Sequence, residues 1–117
     1  MRFGHIELFV REPLESLAFY RDVLHFDVVD VQGRDAVWMA LGATQILLRR
    51  GGIKSPAPDY RSGSVGFVLY AEDLDVEMGA LVASGLQFTG DDGSAREPTF
   101  VDPDGHWFQI VDPKDFA

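Results

Sequence analysis

Polar and apolar residues alternate through residues 4–10, so a strand there carries His5, Glu7 and Phe9 on one face and Ile6, Leu8 and Val10 on the other. Both polar side chains fall on the same face. After Pro13, which a first helical turn tolerates, Leu14, Leu17, Ala18 and Leu24 recur at a helical period and predict an amphipathic helix that ends near Leu24. Residues 26–31 read as a strand and Gly33-Arg34-Asp35 as a turn. Residues 36–41 and 44–49 read as a hairpin around Gly42-Ala43. The first half is therefore βαβββ.

A break at Gly51-Gly52 opens a stretch to Gly63 that holds Pro56 and Pro58, which predicts a linker at 53–63 and a loop able to cover a site. Then the order repeats. Residues 65–70 read as a strand, and Asp73 as a helix N-cap. Leu74, Met78, Leu81 and Val82 make a helical stripe that Gly85 ends. Residues 86–88 start another strand, 90–97 are polar and irregular, and 98–102 with 106–111 form a last hairpin around Pro103-Asp104-Gly105. The second half is again βαβββ, and a period of about 60 residues seen twice points to one duplicated module. One domain, 1–117, is expected, with a module at 1–52, the linker at 53–63 and a module at 64–117. Each sheet is too small to bury both faces, so the α+β fold expected is two βαβββ modules curled into an open, barrel-like sheet around a concave groove.

Composition narrows the chemistry. The chain has no cysteine, which removes disulfides, thiolate metal sites and cysteine nucleophiles and suits a reducing compartment. The start, Met1-Arg2-Phe3-Gly4-His5, has no apolar run behind its charge, and no segment reaches the roughly 20 apolar residues of a membrane span, so a cytoplasmic protein is expected. A net charge of −9 disfavours nucleic acid and anionic lipid and favours a cationic partner. There is no Gly-x-Ser-x-Gly and no phosphate-cradling glycine loop; Ser62-Gly63-Ser64 is loop chemistry.

Four segments, in this order and spacing, carry a resemblance: Gly4-His5-Ile6, residues 17–24 (Leu-Ala-Phe-Tyr-Arg-Asp-Val-Leu), Ala71-Glu72-Asp73-Leu74-Asp75, and residues 100–106 (Phe-Val-Asp-Pro-Asp-Gly-His). Over essentially its whole length the chain resembles the vicinal oxygen chelate superfamily of glyoxalases, bleomycin and fosfomycin resistance proteins and extradiol dioxygenases. The resemblance implies that metal-using members would place ligands at His5, at Ser64 or its neighbour Val65, and at Gln109, with Leu47 where glyoxalase-type members carry a further glutamate. One imidazole and one amide, with no carboxylate, make a poor set for a divalent ion, so no metal and no cofactor is expected. His25 stands where the family usually has a glycine after the helix.

The residues expected to contact a ligand are His5, Glu7, Phe9, Trp38, Leu47, Ser64, Trp107 and Gln109. Trp38 and Trp107 occupy corresponding hairpins and offer flat walls to a planar ring, with Gln109 and Ser64 as neutral hydrogen-bonding groups. The bland alternative is that both tryptophans are core. An inward carboxylate at Glu7 must line a wet groove or meet a base, and Arg49 on the same module is the structural candidate. The reading is a metal-independent binder of a small aromatic, cationic ligand, akin to the bleomycin resistance branch that sequesters antibiotics, and a homodimer. The alternative is a metal-dependent lyase or dioxygenase-like enzyme of the same superfamily.

Overall fold

Alternation around His5 produces strand β1, Ile6–Val10, in the computed structural model, which describes residues 1–52, 55–90 and 98–116. Residues 53 and 54 of the expected linker, and 91–97 of the expected irregular stretch, lie outside the described residues. The chain divides into two units, Met1–Lys54 and Ser55–Ala117.

In the first unit β1 is followed by helix α1, Pro13–Ala18, and then by β2, Asp27–Gln32, β3, Ala36–Leu41, and β4, Thr44–Arg50. The strands form one open sheet in the order β1-β4-β3-β2, with β1 parallel to β4 and the rest antiparallel. One face takes Leu8, Val10, Val37, Met39 and Leu48, all buried, and α1 packs on β3 and β4. Each such side chain contributes on the order of 1.5–3 kcal/mol by leaving water.

The helix turns one position away from the expected stripe. Pro13, Ser16, Leu17, Tyr20 and Leu24 are buried, while Leu14 and Ala18 are exposed. A stripe drawn from aliphatic residues alone omits Tyr20, the largest fully buried side chain of the unit, and a small serine that lets the helix approach the sheet. From Phe19 to Val23 the helix widens to a π turn, closed by Leu24 N–H to the Phe19 carbonyl at 3.2 Å and Phe26 N–H to the Tyr20 carbonyl at 2.9 Å. Between those two donors His25 adopts φ +63°.

Strand β2 contains a bulge that keeps its aspartates off the buried face. Val28 pairs with Met39 and Asp30 with Trp38, so Val29 is the extra residue. Without it, Asp30 would fall on the face of Met39 and Val37. At the end of β4, Arg50 donates to both oxygens of Glu12 (2.9 and 3.0 Å), to Asp35 Oδ1 (2.7 Å) and to the Arg11 carbonyl (2.6 Å). These bonds tie the start of α1 to the β2–β3 turn, hold the Glu12 carboxyl below its usual range and raise the guanidinium.

The second unit contains β5, Phe67–Tyr70, α2, Leu74–Ala83, β6, Thr99–Val101, and β7, Trp107–Val111, in an open sheet ordered β5-β7-β6. Asp73 caps α2 through its carboxylate to Val76 N–H at 3.2 Å. Gly85 ends it at φ +107°, with Leu86 N–H to the Leu81 carbonyl and Gly85 N–H to the Val82 carbonyl, both 3.0 Å. The core face stacks Phe100 on Phe108 (centroids 5.1 Å, planes 3° apart), with Phe67 against Phe108 and Phe88 edge-on to Phe100.

Two expectations change here. Residues 86–88 form no strand, so among the described residues this sheet has three strands where βαβββ would give four. Thr89 and Gly90 exchange hydrogen bonds with Thr99 alone, on the outer edge of β6 where β2 lies in the first sheet. The described part of the expected linker also belongs to the second unit: Trp107 Nε1 donates to the Ala57 carbonyl at 2.8 Å, and a 3-10 turn, Tyr60–Ser62, contacts β7. Gly105, at φ +94°, lies so close to Pro56 that a Cβ there would overlap the proline ring.

Candidate functional site

The face of the first sheet opposite its core collects five of the residues singled out in the sequence. Register places Glu7, Leu47, Trp38 and Asp30 in one row across all four strands, with Phe9 beside Arg49 in the next. The His5 and Trp38 rings meet edge to face with centroids 4.6 Å apart. Leu47 is buried, Trp38 is half-buried, and Phe9 keeps 49% of its surface exposed. Along β3 the side chains flanking Trp38 on this face are Ala36 and Ala40, so no bulky neighbour on its own strand competes for the indole faces.

Glu7 meets a base. Arg49 donates to Glu7 Oε1 at 2.9 Å, and His5 Nε2 stands 3.8 Å from Glu7 Oε2. At the far end of the row, Gln32 donates to Asp30 Oδ2 at 3.2 Å. Arg49 was weighed in the sequence only as a structural partner and Asp30 not at all. The signal for Arg49 is its two-residue spacing from Leu47; Asp30 reaches this face only through the bulge.

On the second sheet Trp107 and Gln109 share a face with Thr99 and Val68. Trp107 is buried and its indole N–H is engaged by Ala57, whereas Gln109 is 7% exposed and its Oε1 has no hydrogen-bond partner among the described residues. A buried acceptor left unpaired costs on the order of 1–3 kcal/mol, so Gln109 is the polar group on this face with unused bonding capacity. Ser64 stands elsewhere, exposed on a bend three residues before β5, because the strand begins at Phe67 rather than at 65.

The same unit holds a buried acid and base pair. Asp102 is fully enclosed; its Oδ1 accepts the backbone N–H groups of Asp104 (3.0 Å) and His106 (2.8 Å), and its Oδ2 lies 2.7 Å from His106 Nδ1. Burial of the imidazole opposes its charge, but the Asp102 hydrogen bond and the charges of Asp102 and Asp104 outweigh it and raise the His106 pKa above 6.5.

The donors at the positions of the family's metal ligands do not fit a divalent ion. Leu47 is hydrocarbon, Gln109 is a neutral amide, and Ser64 is outside the strand. Among the described residues no three His, Asp or Glu side chains group so as to hold a metal. Among the described residues, too, no helix is long and apolar enough to cross a membrane.

Known structures share this fold at low identity. An antibiotic-binding protein from Streptomyces sp. CB03234, TnmS3, is 22% identical, with 97% of this chain and 98% of that one covered and a TM-score of 0.69. Lactoylglutathione lyase from Agrobacterium tumefaciens is 20% identical, with 99% and 96% covered and a TM-score of 0.73. The fosfomycin resistance protein FosX from Listeria monocytogenes, complexed with Mn(II) and sulfate, is 15% identical, with 99% and 98% covered and a TM-score of 0.69. Among curated proteins none matches. The family model described as the glyoxalase/bleomycin resistance protein/dioxygenase superfamily matches residues 2–110, and the chain belongs to that superfamily.

Proposed function

We propose that this chain is a metal-independent small-molecule-binding protein that acts in the cytoplasm as a resistance protein, protecting a cell by sequestering an aromatic peptide antibiotic. The observation that carries the reading is the open face of the first sheet. Trp38 meets His5 edge to face beside buried Leu47, and the carboxylate on the far side of Leu47, Glu7, is paired with Arg49. Such a surface offers ring stacking to a planar ligand. An antibiotic-binding neighbour of the same fold supports it. On the second sheet, taken by itself, Gln109 Oε1 has no hydrogen-bond partner among the described residues.

A thermal-shift screen over aromatic peptide antibiotics and aromatic metabolites tests this, because a ligand bound only by the folded state raises stability by mass action. A hit should lose at least tenfold in affinity in Trp38→Ala while Tm without ligand falls by only a few degrees. Equal affinity in that variant would remove the face from the reading.

The enzyme alternative, a metal-dependent lyase or dioxygenase-like activity, draws on the buried Gln109 acceptor and on the lyase and Mn(II)-bound neighbours. Elemental analysis of protein purified without chelator separates the two. Well under one transition metal per chain is expected, and a stoichiometric metal removed together with an activity would favour the enzyme.

A further inference from the structure

The row Glu7–Leu47–Trp38–Asp30 is apolar in the middle and unlike at its ends. At the β1 and β4 end, one terminal nitrogen of Arg49 is spent on Glu7, and 59% of the Arg49 side chain is exposed against 33% for Glu7. The more exposed group of that pair is therefore the guanidinium. A planar fork with further donors takes a carboxylate, phenolate or carbonyl oxygen. At the β2 end Asp30 sits directly across from Trp38, oriented by Gln32 at 3.2 Å and without a cation in that bond. Adjacent strands lie about 4.8 Å apart and Arg49 stands two residues along β4 from the row that holds Asp30, so the diagonal between them is roughly 12 Å, the length of a two- or three-ring aromatic with its substituents.

We propose that this face binds a planar aromatic ligand carrying an oxygen acceptor or anion at one end and an amino group at the other, with Arg49 reading the first end and Asp30 the second. The proposal rests on the aromatic-binding reading above and adds the ligand's polarity and its orientation across the strands. The acidity of the whole chain favours cations without regard to position, whereas this arrangement fixes which end of the ligand carries the cation.

Four naphthalene probes separate the parts: 2-naphthalenemethanol, 2-naphthoate, 2-naphthylmethylammonium and 6-(aminomethyl)-2-naphthoate, titrated calorimetrically at low salt. Exposed charge pairs supply about threefold each, so the doubly substituted probe should bind about tenfold tighter than the alcohol. Arg49→Gln should remove the carboxylate's share alone and Asp30→Asn the ammonium's share alone; both residues are exposed, so folding should persist and circular dichroism checks it. If the four probes bind alike, or the gains survive both substitutions, the polarity is wrong and the aromatic reading stands. If no probe binds, both fall.

Discussion

His25 holds φ +63° at the end of the first helical segment, a conformation that a Cβ disfavours by about 1–2 kcal/mol. Its counterpart after α2 is Gly85, at φ +107°, where no such cost arises. The motif position pointed to a glycine here, and the structure keeps the glycine conformation with a histidine in it. His25→Gly should therefore stabilise the protein by about 0.5–1 kcal/mol, less than the full strain because glycine also frees the unfolded chain. Urea unfolding checks it: the midpoint should rise with an unchanged slope. His25 also lies in the field of Asp22, so an unchanged or lower midpoint would mean that the interactions of its side chain offset the strain.

At the scale of elements, local pattern and distant contact contribute differently. The hairpin of β3 and β4, the capped α2 and the pairing of Glu7 with Arg49 were all legible, because each depends on residues within one alternating or capped segment or on a face count between strands. The bulge at Val29 was not, since Asp-Val-Val-Asp-Val admits two phases and only the buried Met39 and Val37 opposite decide between them. Nor was the attachment of 55–63, which depends on Trp107 reaching Ala57 fifty residues away. The turn between β6 and β7 supports that attachment, because His106 lies between Gly105, which abuts Pro56, and Trp107, and its ring is fixed on Asp102. The folded-state pKa of His106 is raised, so its contribution is fully present below the unfolded value of about 6.5 and is lost as pH climbs through the folded value. The urea midpoint of the wild type should thus fall between pH 6 and pH 8.5 by more than that of His106→Gln, and the difference isolates this residue from His5 and His25. Equal falls in the two proteins would show that the pair carries no linkage.

For the whole molecule, surface decides the last expectation. The units have only 54 and 63 residues, a size at which a single core is marginal. Both sheets are open: the first ends at β2, where Val28, Val29 and Val31 are exposed, and the second ends at β5, where Tyr70 keeps 68% of its surface exposed. Open edges with apolar side chains are usually covered by a partner. The aspartates alternating with those valines on β2 oppose indiscriminate pairing, which favours one specific arrangement over an open-ended array. A homodimer is the expected state, with each ligand site drawing on both subunits. Light scattering at micromolar concentration should return twice the 13.0 kDa chain mass, and dilution to the monomer should weaken ligand binding in parallel. The charge of −9 on every copy makes the association tighten as salt is raised from low ionic strength. A monomer that binds its ligand at full affinity would leave the shared site without support and confine recognition to a single chain.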